Sequence, residues 1–389
     1  MPSAPPSAAV LPSWTLPWRR VLAPWLATRA LLFVFAWISL IVLAPDASPE
    51  HWRVFPDWPA LDGWSRWDSG WYASIILKGY YFTPGEPCNV NFFPLYSWIA
   101  GLVSLPLRLL TTADRAFHIG GVLVSLSAFW CALAGLWRLG TPLWGDDKAR
   151  RAAWLIACFP FSLFFSAVYT ESLFLALSVW AFVFGLERRW ALASLFIGLS
   201  ALTRVTGPVV GLALGIEFAF AHWGDRQRWR RDAPWLLASA VPLLTLMTWF
   251  HVRFGNAFVV MHTYTKVWDK KPGLRPLIDV LNSIRSSSEP VATRFQNLLY
   301  VLVLFGSLAL VLRARKHLTP GLIAYAVASV GIVAFTGFTS AGRYTAVLFP
   351  AFGAASVLLG PRSWRVVAVV SMALCLWFTL DFSHWWLVT

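Results

Sequence analysis

The chain has 389 residues, 58% of them hydrophobic and only 13% charged, about half the roughly 25% charged content of a soluble globular domain. That excludes an ordinary soluble protein. Its 32 Lys and Arg against 18 Asp and Glu leave a net charge of +14. On so apolar a body that excess orients a membrane protein and does not point to nucleic acid. Cys88, Cys131, Cys158 and Cys375 form no CxxC pair and suggest neither a metal knuckle nor a disulfide framework.

In chain order, residues 1–20 are rich in Pro, Ala and Ser and read as a disordered cytoplasmic tail. The rest, 21–389, reads as one all-α membrane domain. Residues 21–44 follow Trp18-Arg19-Arg20 and are longer than a signal peptide's apolar core, so they read as an uncleaved anchor. An outer loop of 45–116 comes next. Further spans are expected at 117–140, 152–168, 172–187, 190–204, 206–222, 234–252, 294–312, 319–338, 343–360 and 364–383, about eleven in all. A second long outer loop occupies 253–293.

Two decisions rest on parity. As one helix, 190–222 would be about 48 Å long, and the basic groups Glu187-Arg188-Arg189 and Arg226 to Arg231 on either side belong on one face. The segment therefore crosses twice, as two short helices meeting at Arg204. Residues 92–110 look like a span by hydropathy, yet a crossing there would put Lys148, Arg150 and Arg151 outside. They read instead as a juxtamembrane helix broken by Pro94 and Pro106. The basic loops then lie in the cytoplasm, and the two long loops lie outside.

Four places carry chemistry. Arg66-Trp67-Asp68-Ser69-Gly70-Trp71-Tyr72 sets a carboxylate among aromatics, followed by Asn91-Phe92-Phe93-Pro94-Leu95-Tyr96. Rings of this kind stack on sugars, and an Asp among them serves as a base toward a hydroxyl; the competing reading is an aromatic belt at headgroup depth. Tyr169-Thr170-Glu171-Ser172 puts Glu171 at the membrane boundary, facing a cavity or partner, or merely favouring a helix dipole. Arg204 and Arg343, each between two apolar helices, suit a lipid-linked phosphate, unless they snorkel to headgroups. In the second loop His262, Tyr264, Lys266 and Trp268 follow Arg253-Phe254-Gly255-Asn256. His262 is a candidate ligand for phosphate or metal, or a structural histidine, and Lys266 a candidate contact to substrate or anionic lipid.

No GxxxxGK[ST], HExxH or GxSxG occurs, so ATP hydrolysis, zinc proteolysis and serine hydrolysis lose their usual support. No cytoplasmic segment is long enough for a nucleotide-sugar-binding domain, so a sugar donor must arrive as a lipid. No second carboxylate at ligand spacing accompanies Asp68, and neither a cofactor nor a metal set is expected.

Taken together, the Trp67-Asp68 element, Phe92-Phe93-Pro94-Leu95-Tyr96, Tyr169-Thr170-Glu171-Ser172, Leu202-Thr203-Arg204-Val205-Thr206-Gly207 and Gly342-Arg343-Tyr344 resemble, over about residues 60–350, the PIG-V family. These are the GPI mannosyltransferase 2-like members of the GT-C glycosyltransferase superfamily. The resemblance implies a bundle of eleven or more helices, juxtamembrane helices in the first outer loop, a polyprenyl-phosphate sugar donor and Asp68 as base. Phe254-Gly255-Asn256-Ala257 departs from the family's Phe-Gly-Asp-Pro. The chain looks like a prokaryotic homologue in the plasma membrane, working on the extracytoplasmic face.

The expected activity is inverting transfer of mannose or a similar hexose to a lipid or glycan hydroxyl. Asp68 and Glu171 are its catalytic candidates. Arg204, Arg343, Tyr344, Trp67, Trp71, Tyr72, Tyr169, His262 and Lys266 are its substrate-binding candidates. The expected partners are the donor, the acceptor and membrane lipids, with no nucleic acid. The rival is a secondary transporter or flippase, which would show internal repeats and charges near the bilayer midplane.

Overall fold

The computed structural model describes residues 18–43, 53–268 and 272–386, so most of the N-terminal tail and the Lys270-Lys271 pair lie outside the described residues. Among those described, every regular element is helical. The chain starts with α1 (Trp18–Val42), passes through α2 (Pro59–Asp62), α3 (Ser69–Leu77) and α4 (Pro94–Ser104), and enters α5 (Ala113–Trp144). Next come α6 (Asp146–Ala157), α7 (Glu171–Leu186), α8 (Trp190–Ala201) and α9 (Gly207–Ala221). After these follow α10 (Arg226–Ala238), α11 (Val241–Phe254), α12 (Val259–Lys266), α13 (Arg275–Arg285) and α14 (Val291–Arg313). The last elements are α15 (Pro320–Thr336), α16 (Ala341–Ala346), α17 (Phe349–Leu358) and α18 (Ser363–Ser383).

Length and composition let α1, α5, α14, α18 and the pair α10 and α11 cross a membrane; α7, α8, α9, α15 and α17 are apolar but shorter. The expected total of about eleven continuous spans is not met as drawn. The 152–168 candidate is the clearest correction. α6 stops at Ala157, because Pro160 two residues past the break can neither donate to the ladder nor accept a helical neighbour before it.

Residues 158–170 continue as a short 3₁₀ turn and bends, all buried. Irregular backbone at that depth survives only where protein satisfies it, and Arg29 of α1 does so. Its guanidinium donates to Ser162 O at 2.6 Å, Ala157 O at 3.0 Å, Ser162 Oγ at 3.0 Å and Ser166 Oγ at 3.0 Å. The Ala157 carbonyl closes α6, where a cation also meets the negative end of the helix dipole. The second correction is 343–360, which the structure divides into α16 and α17.

The breaks expected within 190–222 and 92–110 are present. α8 and α9 flank the turn that holds Arg204. Residues 92–110 give α4, eleven residues starting at Pro94, then a 3₁₀ turn starting at Pro106. Eleven residues rise only about 16 Å, half a bilayer core. α4 lays Pro94, Tyr96, Ser97, Ala100 and Gly101 into the bundle and leaves Trp98 and Leu102 exposed.

The stretch before α4 docks on α11 and α12 through a small core of its own. Cys88, Val90 and Phe93 pack with Leu246, Phe250 and Val259. With its amide oriented to suit its neighbours, Asn91 donates to Val260 O at 3.3 Å and accepts from Trp268 Nε1 at 2.8 Å. The departure at Asn256 is a local turn: Gly255 closes α11 at φ 72°, and Asn256 Oδ1 accepts the Phe258 N–H at 2.8 Å.

Candidate active site

The Arg66-Trp67-Asp68 element is fixed from both sides. Arg66, 1% exposed, pairs with Asp62 at 2.6 Å and donates through Nε to Ser383 O at 3.0 Å. The Asp68 N–H donates to the Tyr169 hydroxyl at 3.1 Å, and that hydroxyl donates to Arg66 O at 3.2 Å. Between them Trp67 stands at φ 52°, the left-handed region that a bulky residue enters only under constraint. Asp68 is therefore delivered at the N-terminal end of α3, where the helix dipole favours a carboxylate.

Glycine brings up two further pieces. A Cβ on Gly342 would stand 2.6 Å from the Phe161 ring, and one on Gly207 would run into the Ala201 and Ser200 backbone. Only glycine lets α16 press onto Phe161 and carry Arg343 inward, or lets α9 start against the end of α8 and pin the Arg204 turn.

The four charges so delivered form one chain. Arg343 donates from Nη1 to Asp68 Oδ2 at 2.6 Å and from Nε to Glu171 Oε1 at 2.6 Å. Arg204 Nη1 approaches the same Glu171 oxygen at 2.7 Å as an ion pair. Glu171 is fully buried, and its Oε2 has no hydrogen-bond partner among the described residues. Aromatic faces hold both guanidiniums: Arg343 lies 4.5 Å over Tyr169, and Arg204 lies 4.8 Å over Tyr344.

Burial opposes both arginine charges, but Glu171, joined at Arg343 by Asp68, outweighs it and raises both pKa values. Burial, against partial relief from Arg343, pushes the Tyr72 phenol up. It remains a neutral group, 3.4 Å from Thr170 Oγ1.

Above this chain opens a cavity of about 880 Å³. Of the expected site residues, Trp67, Asp68, Trp71, Tyr72, Tyr169, Arg204, Arg343 and Tyr344 line it. Glu171 does not; it sits behind, its Oε1 shared by Arg204 and Arg343, a place from which it orients the guanidiniums and does not touch the reacting atoms. His262 and Lys266 also stay off the cavity walls. His262 packs its ring 6.0 Å from Phe82 and Lys266 is exposed, while their neighbours Tyr264 and Trp268 line the cavity. The face of α12 explains this, since residues two apart on a helix point to different sides.

Sequence reasoning missed Lys78, Tyr81, Asp114, His118 and Trp385, which also line the cavity. Lys78 follows Asp68 by the length of α3. Asp114 and His118 are polar residues one turn apart at the start of an apolar helix, a pattern that could have marked them.

With this geometry in view, comparison with known proteins is specific. Residues 57–215 match the family model described as Mannosyltransferase (PIG-V). The resemblance read from the motifs is borne out over this stretch, which takes in Asp68, Glu171 and Arg204 and ends short of Arg343. No curated protein matches the chain.

Among solved structures, the chain is similar to ArnT from Cupriavidus metallidurans bound to undecaprenyl phosphate. The two share 16% identity at a TM-score of 0.53, over 90% of this chain and 62% of that one. The archaeal oligosaccharyltransferase AglB from Archaeoglobus fulgidus, in complex with an inhibitory peptide and a dolichol-phosphate, matches at 15% identity and a TM-score of 0.47. That match covers 92% of this chain and 55% of the other. The chain thus spans about three fifths or less of the length of these structures. At such identity the ArnT likeness shows the fold, a GT-C-like membrane bundle.

Proposed function

We propose that this PIG-V-like chain is a membrane glycosyltransferase that moves mannose or a similar hexose from a polyprenyl phosphate to a lipid or glycan hydroxyl, with inversion. The observation that carries this reading is the meeting of Asp68, Arg343 and Arg204, from three distant parts of the sequence, on one aromatic-walled cavity. The undecaprenyl phosphate bound to the similarly folded ArnT supports a lipid-linked donor. The placing of the long loops at one end supports an extracytoplasmic site in a plasma membrane.

Asp68 takes the proton of the acceptor hydroxyl as its oxygen bonds to the anomeric carbon. The bond from that carbon to the phosphate oxygen breaks on the opposite face, and polyprenyl phosphate leaves. Arg343 and Arg204 stabilise the leaving phosphate, whose charge grows in the transition state. Glu171 positions both guanidiniums from behind. Phosphate at Arg343 also competes for the contact with Asp68, so donor binding frees the base.

Incubating the protein with radiolabelled polyprenyl-phosphate mannose and extracted membrane lipids tests this. The expected result is a labelled lipid or glycan together with released polyprenyl phosphate. Failure to turn over any polyprenyl-phosphate sugar would overturn the proposal and revive the transporter.

A further inference from the structure

The cavity is polar. Its walls carry the cations Arg204, Arg343 and Lys78, and they also carry Asp114 and His118, with Trp385 against Trp67. The walls thus offer cations, and beside them a carboxylate and an imidazole that the Asp68, Arg343, Glu171 and Arg204 chain does not use.

The wall at Trp67 is a built site. Arg115 Nε donates to Val54 O at 3.1 Å, and Asp62 accepts the N–H groups of Val54 and Phe55 at 3.1 and 2.9 Å. The Arg66 guanidinium, paired to the same Asp62, lies 5.0 Å over Trp385, whose ring is 5.2 Å from that of Trp67. Among the described residues only three other than glycine have positive φ, and two are these indoles, Trp67 at 52° and Trp385 at 64°. Such backbone persists only where its surroundings impose it, and it concentrates at ligand sites.

On the same cavity α5 presents Asp114 and, one turn on, His118. The imidazole is 2% exposed and makes no hydrogen bond among the described residues. Its Nε2 stands 3.7 Å from Asp114 Oδ1, beyond bonding distance, and its Nδ1 has no partner. Buried polar groups are nearly always paired, so a wall residue left this way has hydrogen-bonding capacity for a ligand.

We infer that Ser65, Trp67, Asp114, His118 and Trp385 form a hexose subsite that receives the neutral sugar ring of the acceptor and presents its hydroxyl to Asp68. This rests on the glycosyltransferase reading above. Ring hydroxyls donate to the Asp114 carboxylate and exchange a hydrogen bond with His118, while the apolar face of the sugar lies on an indole. Asp114 repels phosphate, so the anionic donor keeps to Arg204 and Arg343 and the two substrates enter without competing.

Saturation-transfer NMR on the full chain in lipid nanodiscs, with methyl α-mannoside and methyl α-glucoside as probes, tests the subsite. At least one hexoside should bind. Its affinity should fall about tenfold, the loss of one good hydrogen bond, in Asp114→Asn and in His118→Gln, and stay unchanged in Asp57→Asn, an exposed neighbouring carboxylate off the cavity. If the buried His118→Gln variant melts early, the half-exposed Asp114 decides alone.

No hexoside binding, unchanged binding in a folded Asp114→Asn, or an equal loss in Asp57→Asn overturns the subsite. Sugar transfer followed in parallel separates the two claims. Transfer with an unaltered acceptor KM in Asp114→Asn sinks the subsite and leaves the activity. Hexoside binding lost in Asp114→Asn without any transfer sinks the activity and keeps a hexose site.

Discussion

Asp68 and Glu171 are both carboxylates on Arg343, but their surroundings separate their tasks. Asp68 is 29% exposed at its side chain and lines the cavity, so it can reach a substrate, and neutralising it leaves Arg343 still paired with Glu171. Asp68→Asn should lower sugar transfer by about 10²–10⁴-fold, the usual worth of a general base, with the melting temperature in detergent close to wild type. Glu171 balances two guanidiniums at zero exposure. Removing one member of such a buried set leaves charge unpaired and costs about 3–5 kcal/mol. Glu171→Gln should therefore lower both the melting temperature and kcat; a variant that lost activity alone would put Glu171 back beside the reacting atoms. Both residues were legible in the sequence as carboxylates near aromatics or at a membrane boundary. Which one touches the cavity was not, because that depends on Arg343, far along the chain from either.

At the scale of elements, hydropathy and side-preference of charge located the break between α8 and α9 and the short helix α4. Both also carry local marks, an arginine between apolar runs and prolines at the starts of α4 and of the 3₁₀ turn after it. Pro160 marked the end of α6 but not the long irregular stretch at residues 158–170. Their apolar composition matches a span, and what lets them leave helical geometry is Arg29, more than a hundred residues earlier. The short turn at Arg204 depends likewise on contact between neighbours, here α8 against the first residue of α9. Gly207→Ala puts a methyl into the Ser200 and Ala201 backbone, an overpacking worth about 1–3 kcal/mol. Because the strain falls on the Arg204 turn, this variant should lose melting temperature and transfer together. An unchanged protein would show that the turn yields without cost.

For the molecule as a whole, the cavity is bounded by α3, the stretch around Phe92 and the Tyr264 to Trp268 segment, and by one set of helix ends: the start of α5, the turn before α7, the turn between α8 and α9, the stretch after α15 and the end of α18. The opposite ends carry Arg20 on Asp146 at 2.6 Å, Arg138 on Glu187 at 2.6 Å and the exposed Arg226, Arg228 and Arg230. Since Lys and Arg are retained in the cytoplasm, the cavity should open to the other side. Cysteine labelling checks this with little background, because Cys88, Cys158 and Cys375 are buried and Cys131 is partly so. In intact cells a membrane-impermeant maleimide should label Glu86→Cys, on the exposed loop before α4, and should label Arg228→Cys only after permeabilisation. The reverse pattern would place the cavity in the cytoplasm. The sugar would then have to come from a donor presented on that face, and the extracytoplasmic reading would fall while the cavity chemistry stood.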